Sequence, residues 1–120
     1  MLNNFNCTGR LGADVELSTN KSSGKKYASF SVAITRNYKE GDEYKTDWMD
    51  CIAWGNTAEF IEKHGKCGRM LALTGELKSD TYYSKKYKHD ILAWQLQVRS
   101  VCFLDKKVKE DEEEEVGDRG

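Results

Sequence analysis

The run Thr46-Asp47-Trp48-Met49-Asp50-Cys51-Ile52-Ala53-Trp54-Gly55-Asn56 decides how this chain is read. Successive side chains of a strand point to opposite faces. Trp48, Asp50, Ile52 and Trp54 therefore share one face, and Met49, Cys51 and Ala53 share the other. The second face has the composition of a core. The first carries two indoles beside a carboxylate, which suits either packing under a loop or contact with a flat ligand with polar edges.

Working outward, Tyr27–Tyr38 alternates clearly, with Ala28, Phe30, Val32 and Ile34 apolar and Ser29, Ser31 and Thr35 polar between them, so a half-buried strand is expected. Glu40-Gly41-Asp42-Glu43, within a Lys39–Lys45 connection, would join it to the opening run as an antiparallel hairpin. After that run, Asn56-Thr57-Ala58-Glu59 resembles a capping box with Asn56 as N-cap, and Gly65 is a stop, predicting a helix of two turns. Leu2–Leu11 alternates, and an apolar beat resumes at Val15 and Leu17, so Gly9 and Gly12 read as bends in a first strand. Arg69–Leu77 continues through Thr81-Tyr82-Tyr83 as an extended arm with a basic tip at Ser84–Lys88. Ile91–Leu104 sets Leu92, Trp94, Leu96 and Val98 against Gln95, Gln97 and Arg99 as a last strand. The sum is an all-β chain: a five-stranded OB-fold barrel with one short helix between strands 3 and 4.

The 120 residues fit one domain, 1–105, and a disordered acidic tail, 106–120. The net charge of −1 hides this division. Lys106–Gly120 holds four Lys/Arg against seven Asp/Glu, which leaves 15 against 13 in residues 1–105. Such a tail reads as a solvated end that can also compete with an anionic ligand for the body. No apolar run approaches the ~20 residues of a membrane span, and no secretory signal opens the chain, so a cytoplasmic location is expected. Cys7, Cys51, Cys67 and Cys102 lack metal-ligand spacing and read as reduced, small apolar residues, so neither a metal nor a cofactor is expected. His64 and Cys67 sit at a helix stop rather than in a pocket, and Asp47 and Asp50 fall on opposite strand faces, so no enzyme is expected.

Two basic segments carry tyrosines among their lysines. Lys21–Tyr27 has Lys21, Lys25, Lys26 and Tyr27, and Lys78–Lys88 sets Lys78, Lys85, Lys86 and Lys88 against Asp80, with Tyr82, Tyr83 and Tyr87 between them. Phosphates need point charges and unstacked bases need flat apolar partners, so this mixture suits a single-stranded nucleic acid. A solvated hairpin whose tyrosines shield the barrel is the plainer alternative.

Over residues 1–105 the chain resembles bacterial and phage single-stranded DNA-binding proteins. The resemblance rests on Gly9-Arg10-Leu11, Asp14-Val15-Glu16-Leu17, Ala28–Ala33, Trp48–Glu59, Gly65-Lys66, Thr74-Gly75-Glu76-Leu77 and Val101–Asp105, in that order and spacing. It implies an OB-fold that binds single-stranded DNA without sequence preference in replication, recombination and repair, as a homotetramer in the bacterial cytoplasm or nucleoid. It further implies base stacking on Tyr38, Trp48, Trp54 and Tyr82. By position, Arg10, Lys21, Lys25, Lys26, Arg36, Lys78, Lys85, Lys86 and Lys88 would follow the phosphates. An OB-type protein-interaction subunit and an RNA-binding OB module are the alternatives. Three residues or segments depart from the family pattern: Val15 where proline is common, the negative Asp50 on the binding face, and an acidic tail without an apolar end to recruit replication and repair proteins.

Overall fold

The computed structural model describes residues 1–104. The expected first strand is broken into β1 (Phe5–Leu11) and β2 (Leu17–Thr19). β3 (Lys26–Glu40), β4 (Glu43–Trp54), α1 (Gly55–His64), β5 (Met70–Ser84) and β6 (His89–Phe103) follow. With β1 and β2 counted as one broken strand, this is the expected five-stranded barrel with its helix between strands 3 and 4. The sheet order is β1-β5-β6-β4-β3-β2, and a β1–β3 pairing at Arg10↔Ala33 and Leu11↔Val32 closes it. β4 runs antiparallel to β3 as expected, and parallel to β6 at Cys51↔Leu96 and Ile52↔Gln97.

The period-2 apolar faces meet inside. Val32 and Ala28 from β3, Cys51 and Ala53 from β4, Leu71 and Leu73 from β5 and Leu96 from β6 are buried together with Ala58 and Ile61 of α1. Fully burying a side chain such as Leu71 or Ile61 stabilises the fold by about 1.5–3 kcal/mol. Burial raises the Cys51 thiol pKa above its ordinary value, with the nearby Cys7 and Asp50 adding to the shift, so Cys51 serves as a small core residue.

Four local expectations are corrected. The helix begins at Gly55, its N-cap is Trp54, and no side chain caps it, so the Asn56/Glu59 capping box does not form. Gly55 has φ +60°, which lets the chain turn straight out of β4 into the helix and places Asn56 inside it rather than at its boundary. Ten residues give nearly three turns rather than two. Gly9 is not a bend. It sits in the ladder opposite Leu71, and a Cβ there would lie 2.7 Å from the Ala33 carbonyl oxygen, so glycine permits the β1–β3 closure. The β3–β4 connection is shorter than Lys39–Lys45, because pairing extends to Glu40↔Glu43 around Gly41 at φ +70°.

Val15 fits its place for a local reason. Its N–H donates to the Gly65 carbonyl at 2.9 Å and its side chain is buried, so the β1–β2 bend is tied to the end of the helix through a donor that proline lacks. The acidic tail, 106–120, lies outside the described residues.

Candidate nucleic-acid interface

The β3–β4 register pairs Ala33 with Trp48, Ser31 with Asp50, Ser29 with Ile52 and Tyr27 with Trp54. Directly opposed residues share a face, so these eight side chains form one strip on the outside of the barrel. Trp48 is 63% exposed and Trp54 39%, while Cys51 and Ala53 between them are fully buried, so the two-faced reading of β4 holds. The sheet brings Tyr82 onto the same side. Ile52 pairs with Gln97, Gln97 with Glu76, and the alternation along β5 then carries Lys78, Asp80 and Tyr82 on that face.

Each indole is positioned by its surroundings. Trp54 lies against Tyr27, with ring centroids 5.2 Å apart and planes tilted by 40°. Trp48 leans across β3 onto the β1–β2 bend. A Cβ on Gly12 would come within 2.7 Å of its ring, so glycine leaves the space that Trp48 occupies. Between the two, Asp50 accepts a hydrogen bond from the Ser31 hydroxyl at 2.9 Å. Tyr38 is exposed but lies in the irregular stretch of β3 between Thr35 and Lys39, where pairing with β4 slips.

The expected phosphate contacts divide. Lys21, Lys25, Lys78, Lys85 and Lys88 are exposed, with no ion pair among the described residues. Lys86 lies 5.3 Å from the centre of the Tyr87 ring. Lys26 pairs with Glu59 at 3.3 Å, a half-exposed contact that salt screens readily. Arg10 donates from Nη1 to the Gly68 carbonyl. Arg36 is held differently. Its Nε and Nη2 donate to the two Asp47 oxygens, each at 2.9 Å, and Nη1 donates to Glu40 at 2.9 Å. Hydrogen bonding to Asp47 raises the Arg36 pKa, and the same bonds hold the Asp47 carboxyl below its usual range. The structure thus gives Arg36 two carboxylate partners in place of the phosphate expected from position alone.

Trp94 was read as part of the apolar side of β6, yet it is 54% exposed, as is Leu92 at 58%. Leu96 and Val98 on that face reach the barrel, whereas Trp94 and Leu92 continue it along an arm that has left the barrel. The signal in the sequence was length, since β5 and β6 are each 15 residues long and exceed what a small barrel needs. Tyr44 is a second exposed aromatic outside the expected stacking set, with Lys39 5.5 Å from its ring centre. His64 is buried against Phe60 and Phe103, while Cys67 Sγ contacts the Gly12 carbonyl oxygen. The described residues contain no group of His, Cys, Asp and Glu that could hold a metal, and no helix long and apolar enough to cross a membrane.

Residues 2–104 match the profile of the Single-strand binding protein family. Among curated proteins, the single-stranded DNA-binding protein of Staphylococcus epidermidis is 34% identical over 93% of this chain and 83% of its own length. Single-stranded DNA-binding protein 1 of Streptococcus pyogenes is 32% identical over 82% of this chain and 78% of its own. Among solved structures, the Plasmodium falciparum SSB complex with ssDNA superposes with a TM-score of 0.75 at 23% identity, covering 88% of this chain and 96% of that one, a likeness of fold.

Proposed function

The chain belongs to the single-strand binding protein family, and from that premise we propose that it binds and protects single-stranded DNA whatever the order of its bases, in replication, recombination and repair. The observation that carries this reading is the exposure of Trp48, Trp54 and Tyr82 on one outer face of one sheet. A soluble barrel gains nothing by leaving three large rings in water, whereas each base stacked on such a ring is worth roughly 1–3 kcal/mol. Tyr38 adds a fourth stacking position on the β3–β4 hairpin. Lys21, Lys25, Lys26, Lys78, Lys85, Lys86 and Lys88, with Arg10, follow the phosphates.

The protein acts without catalysis and without a cofactor. It works as a homotetramer in the bacterial cytoplasm or nucleoid, encoded by a bacterium or a phage. Residues 1–105 form the DNA-binding unit and 106–120 an acidic tail. A protein-interaction subunit and an RNA-binding module are not favoured, since the family and its curated relatives are named for single-stranded DNA.

Titration with oligo-dT tests the reading. Tryptophan fluorescence is expected to quench, with affinity falling against salt at a log–log slope of about −0.7 per phosphate contacted. Unquenched emission with no salt dependence would rule it out.

A further inference from the structure

The β5–β6 hairpin outruns the barrel. β1 pairs with β5 no further than Phe5↔Gly75, and β4 pairs with β6 no further than Cys51↔Leu96, yet β5 and β6 stay paired out to Ser84↔His89. From Lys78 to Gln95 the arm is therefore a two-stranded ribbon with no third strand at either edge. Its side chains alternate between two faces. The outer face carries Lys78, Asp80 and Tyr82 on the side of the Trp48–Trp54 strip. The inner face continues outward from the Leu77↔Leu96 pair, where Leu96 is fully buried, and carries Tyr83, Leu92 and Trp94. Each of these three is more than half exposed. Among the described residues Trp94 touches no other ring, so its indole is open.

An apolar side chain alone on a surface needs no explanation, but three large ones on one face of a ribbon do. A second copy of the chain is a poor fit. Side chains a little over half exposed offer about 300 Å² together, against the roughly 800 Å² per partner that a stable interface buries. A nucleic-acid strand fits better on two counts. The ribbon is positive, with Lys78, Lys85, Lys86 and Lys88 against Asp80 and Asp90, which draws phosphate. The indole is also continuous with the outer strip, because Trp94 lines a cleft of about 310 Å³ together with Asp50, Lys78 and Asp80, at the point where β4 and β6 part. The two carboxylates repel phosphate, so the uncharged base turns into the cleft and the backbone keeps to the lysine.

Resting on the single-stranded DNA reading above, we infer that Trp94 is a further base-stacking residue, on the inner face of the β5–β6 arm. The bound strand rounds the unpaired edge of β6 and uses both faces of the ribbon, Tyr82 on one and Trp94 on the other. Leu92 and Tyr83 extend the inner platform beyond the indole. The arm is then wrapped rather than lain upon, which gives its length beyond the barrel a use.

Filter binding of oligo-dT to the full chain tests this without relying on tryptophan emission. Trp94→Ala is expected to weaken binding by about 10-fold, the loss of one stacked base. Trp94→Phe keeps a flat ring and is expected to stay within about three-fold of the parent, and neither substitution shifts the salt slope, since no cation is removed. A loss below about three-fold for Trp94→Ala overturns the inference, and so does Trp94→Phe binding no better than Trp94→Ala. The unsubstituted chain gives a second reading that no folding defect can confuse. Crosslinked to an oligomer containing 5-bromouracil, it is expected to carry an adduct at Trp94, and an adduct at Trp54 without one at Trp94 overturns the inference. A change in the sedimentation of free Trp94→Ala with DNA affinity unaltered would assign the face to a second copy and overturn it as well. If Trp54→Ala weakens binding and Trp94→Ala does not, the inner face alone fails, whereas a parent protein that does not bind oligo-dT overturns the proposed function with it.

Discussion

Two hairpins leave the barrel at the same end, and they differ in how they hold one cation. On β3–β4, Arg36 is clamped by Asp47 and Glu40. On β5–β6, Lys78, Lys85 and Lys88 have no carboxylate within ion-pair reach among the described residues, and Lys86 lies near the Tyr87 ring. Both arms look alike in composition, basic residues among tyrosines. The second keeps all four lysines available to phosphate, whereas the first keeps Lys39 and Lys45 available but not Arg36. The first uses its arginine to brace one strand against the next, so a cation counts toward binding according to whether the fold has already neutralised it.

The largest effect expected from breaking this contrast comes from the aromatic strip that both arms flank. Trp54→Ala with Tyr82→Ala removes two stacking positions, and oligo-dT affinity should fall by about 30-fold or more in a fluorescence-independent assay such as filter binding. A loss below about three-fold would show that the strip does not stack bases. Next in size, replacing Lys85, Lys86 and Lys88 by alanine should make the salt slope shallower by about 2, from three phosphate contacts at about 0.7 each. Arg36→Ala should leave the slope nearly unchanged, since the fold has already offset that charge. An equal change for Arg36 would erase the distinction between the arms.

The smallest effect is on pH dependence. Hydrogen bonding to Arg36 depresses the Asp47 pKa in the folded state, so its stabilisation is present above the ordinary value of 3.8 and is lost as pH falls through the lower folded value. The melting temperatures of the parent and Asp47→Asn should differ near neutral pH and converge well below pH 4. A gap that persists in acid would mean that the clamp is not what the substitution removes. Because Asp47 is exposed, the difference is expected to be small.

The fold was legible wherever local alternation and the core agreed. β4 is the plainest case: Cys51 and Ala53 inward, Trp48 and Trp54 outward, with nothing longer in range needed to decide it. Gly9 was misread because its reason is 24 residues away at Ala33, a close approach that no local pattern records. The capping box failed because Gly55 can adopt φ +60° and start the helix two residues early. Trp94 shares a side of β6 with the buried Leu96 yet stands exposed, because alternation reports a face and not how far along that face the barrel extends. Arg36 looked like a phosphate ligand until β3–β4 pairing, Ile34↔Asp47, brought its acid partner alongside. Side-chain partnerships across a sheet depend on register, and register appears only when the strands are paired.

The central claim is that bases lie on the outer strip of β4 and its neighbours. Photocrosslinking to an oligomer containing 5-bromouracil, followed by peptide mapping, tests it most directly. The account predicts adducts at Trp48, Trp54 and Tyr82. Adducts confined to Tyr44 and Tyr87 at the hairpin tips, with none on the strip, would contradict it.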